Sequence, residues 1–391
     1  TICDVIKKVN PKGTIIAGNS VATSIPEILL TKTKADIGVM GESDITIVEL
    51  LKSLIDGLPI LEIEGIVFKE DGRVCFTPKR KVVENIDSVG FPDWNIFNIS
   101  KYQEYSQSNA ISADSNENPD EDVVYYPLNS ARGCPFNCTF CYHVFKGEKY
   151  RRYSEDEVIG EIVRLKNVYK CNHIGFWDEL TFSSIKGVRE RIKKLNELDF
   201  KVSWTAPIRG DLFKKEHVSL IRELKSTGCN ALGYSLENAS PDILKAINKR
   251  MSVEQFVEQS KALWDGGITP LTSVIFGYPQ ETPESIRLTI KVCEECNMFP
   301  SVGYLLPLPG TPIYEWAKDN GHIKDEEQYL QRVGDRQDFH VNLTKMPTQE
   351  MISIVTEELG KLAKKQGLKL DSVLKTGGYK KVDQKKNARI K

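Results

Sequence analysis

The sequence predicts an α/β chain whose main body is a parallel βα barrel, or most of one, behind a shorter α/β unit. Three observations carry this. Six short apolar runs between 125 and 306 alternate with segments of helical periodicity, and successive βα units of that kind curl into a parallel barrel. Ahead of them lie two further strand–helix pairs and a hairpin, part of a doubly wound sheet. With 391 residues, 40% hydrophobic and 27% charged, the chain has material for one large domain and a smaller one.

In order, "TIIAG" (14–18) reads as a short buried strand and "ADIGVMG" (35–41) as a second. Each precedes a helical pattern; in "DITIVELLKSLIDG" the residues Ile47, Leu50, Leu51 and Leu54 recur at helical spacing and Gly57 stops the helix. Residues 65–77 form a hairpin around Asp71-Gly72, a pair that favours tight hairpin turns. The chain opens at Thr1 in what reads as the middle of a domain, so an upstream segment is expected. Residues 78–124 read as an irregular linker ending in the acidic, solvated stretch "ADSNENPDEDV". The six strands follow at 125–130, 173–178, 202–208, 231–237, 271–277 and 302–306. Among the helices between them, Ser154 with Glu157 predicts a capping box, and Thr282-Pro283 an N-cap with a first-turn proline. The tail "KTGGYKKVDQKKNARIK" is Gly-broken and basic, a frayed end.

A net charge of −1 points to neither nucleic acid nor an anionic membrane as partner. No apolar run approaches a membrane span and the first residues do not read as a basic-then-apolar leader, so the expected location is cytoplasmic. Nine cysteines at uneven spacing read as reduced thiols plus one local ligand cluster.

Chemistry in a parallel barrel gathers where strands run out into loops. After the first strand come Cys134, Cys138 and Cys141. The second ends on Asp178 and Glu179, the third is followed by Arg209, the fourth ends on Glu237, the fifth runs into Gly277 and Glu281, and the sixth into "PLPGTP" (307–312). Acids suit an ammonium and vicinal hydroxyls, an arginine suits a carboxylate, and glycine backbone can flank a base. A single such residue would be ordinary loop surface; agreement of five loops is not.

The segment "ARGCPFNCTFCYH" places three thiols within eight positions. Thiolates select zinc, copper(I) or iron–sulfur clusters. A structural zinc site closes with four ligands, yet His143 is too near Cys141 to serve, and Cys293 and Cys296 fall inside a helical run as ordinary buried thiols. A four-iron cluster held by three thiolates keeps one iron open, the usual way a metal site admits substrate.

With Phe140 before the last cysteine, Cys-x₃-Cys-x₂-Cys resembles the CxxxCxΦC signature of the radical S-adenosylmethionine (SAM) superfamily, and the resemblance extends over about 125–345. It implies a [4Fe–4S] cluster on Cys134, Cys138 and Cys141 that chelates SAM at its open iron and cleaves it to a 5′-deoxyadenosyl radical. It further implies Phe140 beside the cofactors and Asp178 and Glu179 near the SAM amino group. Arg209 would face its carboxylate, Glu237 its ribose, and the Gly277–Glu281 turn its adenine. A flavodoxin- or ferredoxin-type electron donor and an unidentified substrate complete the set of partners.

The front end, "GNSVAT" (18–23) and "GESD" (41–44), resembles the second half of the cobalamin-binding domain that precedes many such barrels, with Asn19 and Asp44 departing from its glycine and glutamate. "PLPGTPIYEWA" (307–317) resembles the sixth-strand segment of that subgroup. The expected fold is thus a partial (β/α)6 TIM-like barrel at 125–320 behind a truncated Rossmann-like, cobalamin-binding-type domain at 1–77. The linker at 78–124 joins them, and a helical region with the basic tail follows at 321–391. The expected activity is hydrogen abstraction from substrate. Cobalamin-dependent methyl transfer to carbon is one outcome, with cobalamin itself left open, and cyclisation or rearrangement without cobalamin is another. A tRNA methylthiotransferase-like enzyme is a further alternative, though such enzymes carry three more upstream cysteines. A non-catalytic zinc or iron–sulfur module is the alternative of a different class.

Overall fold

The computed structural model describes residues 2–102 and 123–368; Thr1, the acidic residues from Asp114 to Asp122 and the basic tail lie outside these. In the front unit, β1 (Ile16–Ala17) and β2 (Ile37–Val39) run parallel, and the hairpin β3 (Ile66–Glu70) and β4 (Arg73–Phe76) extends the sheet antiparallel in the order β1-β2-β3-β4. Asp71 (φ 48°) and Gly72 (φ 75°) are both left-handed, as the expected hairpin turn requires. One sheet face packs on Ala22, Leu29 and Leu30, the other on Leu50 and Ile63.

Gly57 ends the helix Asp44–Asp56 in the left-handed conformation, but its predicted apolar stripe is only partly used. Leu50 is fully buried, whereas Leu51 and Leu54 remain 45% and 36% exposed. A sheet with so few strands is too narrow to cover the whole stripe.

The main body is a parallel sheet of β5 (Tyr125–Leu128), then, past the short antiparallel pair β6 (Ala131–Arg132) and β7 (Arg151–Arg152), β8 (His173–Phe176), β9 (Ser203–Pro207), β10 (Cys229–Gly233) and β11 (Thr269–Leu271). The fifth predicted strand is broken at Thr272. Its second piece, β12 (Ser273–Phe276), pairs with β13 (Ser301–Tyr304), and a parallel bridge from Glu237 to Val274 joins the pieces. Six strand positions thus follow chain order as an open barrel. The outward side chains Phe176, Trp204 and Leu232 are buried against the helices, and the helix Thr348–Lys365 covers the helix Pro283–Glu295 with Met351, Val355 and Leu359 in the core.

Three local expectations change. The fourth strand begins two residues earlier than predicted and ends at Gly233. Beyond it the backbone leaves the ladder, with Tyr234 N donating to Leu271 O and Glu237 N to Ser273 O. Ser154 caps its helix through Glu157 N, but its own N–H goes to the Asp87 carboxylate at 2.8 Å, not to Glu157. The described part of the 78–124 linker is a strap packed on the barrel: Ile86 is fully buried in the main core, and Gly90 O and Pro92 O accept from Tyr153 and Arg164. Thr282 and Pro283 start their helix as expected, with Ser285 completing the box. No helix among the described residues is long and apolar enough to cross a membrane.

The front unit meets the barrel through charge. Glu42 accepts from Arg132 and Arg151, and Asp44 from Arg132 at 2.6 Å; the Glu42 and Arg151 side chains are only 4% and 7% exposed.

Candidate active site

The cysteine loop, residues 133–150, is framed by the β6–β7 pair and held at several points. Asp178 staples its approach, accepting from Ser130 N (2.6 Å), Ser130 Oγ (2.8 Å) and Ala131 N (2.9 Å). Glu179 Oε2 accepts from Gly133 N at 3.1 Å. From below, Ile247 O accepts from Thr139 N and Asn137 O accepts from Asn248 Nδ2. So braced, Cys134, Cys138, Phe140 and Cys141 line a cavity of about 430 Å3 together with Glu179, Arg209, Glu237 and Lys249.

Burial pushes all three thiols up, and for Cys141, with Cys138 and Cys134 close by, up to about 11. They are neutral thiols near pH 7 and release protons on binding a metal. Among the described residues no three His, Cys, Asp or Glu side chains converge tightly enough to hold one metal ion. The trio shares a cavity without closing on a point. Three cysteine donors in one cavity suit an iron–sulfur cluster by ligand chemistry. His143, buried with Nδ1 unpartnered, is not part of the lining.

The other predicted residues separate into two groups. Glu179, Arg209, Glu237 and Phe140 reach the cavity; Phe140 also packs edge-on against Tyr278. Glu237 is held in an unusual conformation at the cavity wall. Its backbone is left-handed at φ 63°, a strained state for a non-glycine residue. Its side chain is 6% exposed, Oε1 accepts from Lys249 Nζ at 2.8 Å, and Oε2 is buried without a partner. Such an oxygen is costly unless something fills it. Arg209 spends Nε and Nη2 on Asp211 and on the carbonyls of Lys249 and Arg250, and lies 3.6 Å over the Phe136 ring.

Asp178, Gly277 and Glu281 are not in the lining. Asp178 is committed to the staple above, and burial raises its carboxyl. Glu281, likewise raised by burial, binds Asn238 Nδ2, Gly277 N and Ser285 Oγ, closing the turn after β12. Gly277 sits at φ 101°, which a side chain would strain. These three support the site without facing it.

Sequence reasoning missed Lys249, Phe136 and Tyr278. Lys249 follows a short helix as one basic residue among several, with no spacing to mark it. Tyr278 is fully buried with its hydroxyl unpartnered, one residue beyond Gly277.

A second cavity of about 580 Å3 lies on the other side of Glu179, between the Gly41–Asp44 turn, the strap at 89–92 and Arg132. At Gly41 a Cβ would meet no atom within 4 Å, so the backbone is bare toward this space. Asn19 adopts φ 62°, a left-handed state that asparagine tolerates. Yet Glu42 and Asp44 are tied to arginines, and only two strands of this unit run parallel. The described residues do not complete a site for a corrin with its nucleotide tail.

Residues 128–293 match the family model of the radical SAM superfamily. The chain is 28% identical over 323 residues to an uncharacterized methyltransferase of Pyrococcus horikoshii, covering 82% of this chain and 66% of the relative. It is 26% identical over 342 residues to the anaerobic magnesium-protoporphyrin IX monomethyl ester cyclase of Rubrivivax gelatinosus, covering 83% and 57%. The chain thus spans under two thirds of either relative. Its fold resembles the radical SAM methyltransferase TsrM of Kitasatospora setae (TM-score 0.64, 16% identity, 82% of this chain and 63% of that one). It also resembles the cobalamin-dependent radical SAM enzyme OxsB (TM-score 0.62, 16% identity, 94% and 51%). At 94% coverage the front unit is included in the likeness. The family model spans the cysteine loop and strands β8 to β12 of the open βα barrel, so over residues 128–293 this chain is similar to the radical SAM superfamily.

Proposed function

We propose that the thiol-lined cavity is the reaction chamber of an enzyme that abstracts hydrogen from a second substrate, with Cys134, Cys138 and Cys141 holding a [4Fe–4S] cluster and SAM beside it. When bound, the cluster supplies the one electron that cleaves SAM to methionine and a 5′-deoxyadenosyl radical, which takes a hydrogen atom from substrate to leave 5′-deoxyadenosine. The chain's own residues position and shield. Glu179 faces the ammonium of SAM, Arg209 its carboxylate, and Glu237 Oε2 a ribose hydroxyl, while Phe140 and the fully buried Tyr278 exclude water from the loop's inner side.

One observation carries this reading: three thiols line one cavity with Glu237, a residue whose Oε2 is buried without a partner. The relatives' names include a methyltransferase and a cyclase, so the substrate radical is expected to end in a new bond to carbon. The described residues do not complete a cobalamin site. A small flavodoxin- or ferredoxin-type protein is the proposed electron donor.

The test is anaerobic reconstitution with iron and sulfide, then dithionite and SAM, with and without added cobalamin, read by mass spectrometry. Equal amounts of 5′-deoxyadenosine and methionine are expected. SAM left intact by protein that carries its full iron complement would contradict the proposal.

A further inference from the structure

Glu237 lines the cavity with one oxygen held and the other unpartnered, and the group that holds the first belongs to a turn that also grips the cysteine loop. Lys249 Nζ stands 2.8 Å from Glu237 Oε1, with side chains 12% and 6% exposed. The turn carrying Lys249 is wound tightly: Asn248 and Arg250, on either side, are both left-handed non-glycine residues at φ 53° and 51°. Strain of this kind persists only where surroundings enforce it. Here Arg209 enforces it, donating to the carbonyls of Lys249 (2.7 Å) and Arg250 (3.0 Å). The same turn meets the cysteine loop three times. Thr139 N donates to Ile247 O (3.0 Å), Asn248 Nδ2 donates to Asn137 O (2.9 Å), and Cys138 Sγ lies 3.9 Å from Asn248 O.

We propose that Lys249 is a positioning residue of the SAM site, fixing Glu237 by one oxygen and setting that acid's place relative to the cysteine loop. A buried glutamate with neither oxygen partnered would turn toward other donors. Held by an ammonium, it keeps one direction, so its second oxygen meets a ribose hydroxyl without reorganisation. The ammonium also adds a positive charge to a cavity that gains negative charge when a thiolate-bound cluster assembles. The inference rests on the radical SAM reading of this cavity.

The experiment compares wild-type protein, Lys249→Met and Lys249→Arg, each full length and reconstituted. It reads iron content, SAM affinity by equilibrium dialysis, and the electron paramagnetic resonance spectrum of the reduced cluster as SAM is added. Lys249→Met is expected to keep its iron and to bind SAM about tenfold or more weakly, the scale of one charge-assisted hydrogen bond. The SAM-induced spectral change should move to correspondingly higher SAM concentration, and Lys249→Arg should recover most of the affinity. Unchanged SAM affinity in Lys249→Met would overturn the proposal, as would loss of iron in Lys249→Met and Lys249→Arg alike, which would make the residue a brace for the loop only. Wild-type protein that assembles no cluster would defeat the underlying reading first, and the proposal with it.

Discussion

Asp178 and Glu179 are adjacent in sequence and do different work. Asp178 binds the backbone that leads into the cysteine loop, while Glu179 lines the cavities on both sides of it. That acids stand at the end of the second strand was legible from the sequence. Which of them faces the ligand was not, because side-chain direction at a strand exit depends on how the chain leaves the pleat. Glu237 was legible in the same way, but its partner Lys249 comes from a turn whose shape depends on Arg209. Replacing Asp178 by Ala should destabilise the fold by about 1–3 kcal/mol through stranded N–H donors and lower iron loading. Asp178→Asn keeps an acceptor for Ser130 N and Ala131 N and should load normally. Denaturant titration and iron assay read both variants, and normal loading in Asp178→Ala would show that the staple is dispensable.

At the scale of elements, the features set by local chemistry were legible: the Asp71-Gly72 turn, Gly57 as helix stop and Thr282-Pro283 as helix start. Features set by distant partners were not. Residues 234–237 keep an apolar-polar alternation that reads as strand, yet their hydrogen bonds go to 271–275 in place of a regular ladder. Ser154 takes its second partner from Asp87, 67 positions away. Gly310, at φ 83°, is packed where the sixth-strand loop, the cysteine loop and the front unit meet. A Cβ there would stand 2.9 Å from the Tyr142 ring and 3.3 Å from Ser24 Cβ. Gly310→Ala should therefore lower the thermal midpoint and, by displacing Tyr142, reduce iron retention; an unchanged midpoint would show that the junction yields freely. Cys293 and Cys296 are buried in the main core, and their joint replacement by Ala should leave iron stoichiometry unchanged. A drop would reveal a second metal site.

Across the whole molecule, the barrel followed from six strand signals in chain order, and the family's fold follows with it. How the front unit docks was hidden, since it depends on two arginines of the cysteine-loop frame meeting one glutamate of the Gly41–Asp44 turn. Glu42→Ala would leave Arg151 buried and uncompensated, a loss on the order of 3–5 kcal/mol for a buried pair. Earlier unfolding in denaturant and faster proteolysis within the strap at 78–102 are expected, and wild-type behaviour in both would mean that the two units hold together by other contacts. The central claim concerns the three thiols and what they hold. Iron and acid-labile sulfide per chain, measured after anaerobic reconstitution of the wild-type protein and of Cys134→Ala, Cys138→Ala and Cys141→Ala, test it most directly. About four of each in the wild type, with loss in every variant, is the expected result; one zinc per chain and no sulfide would contradict it.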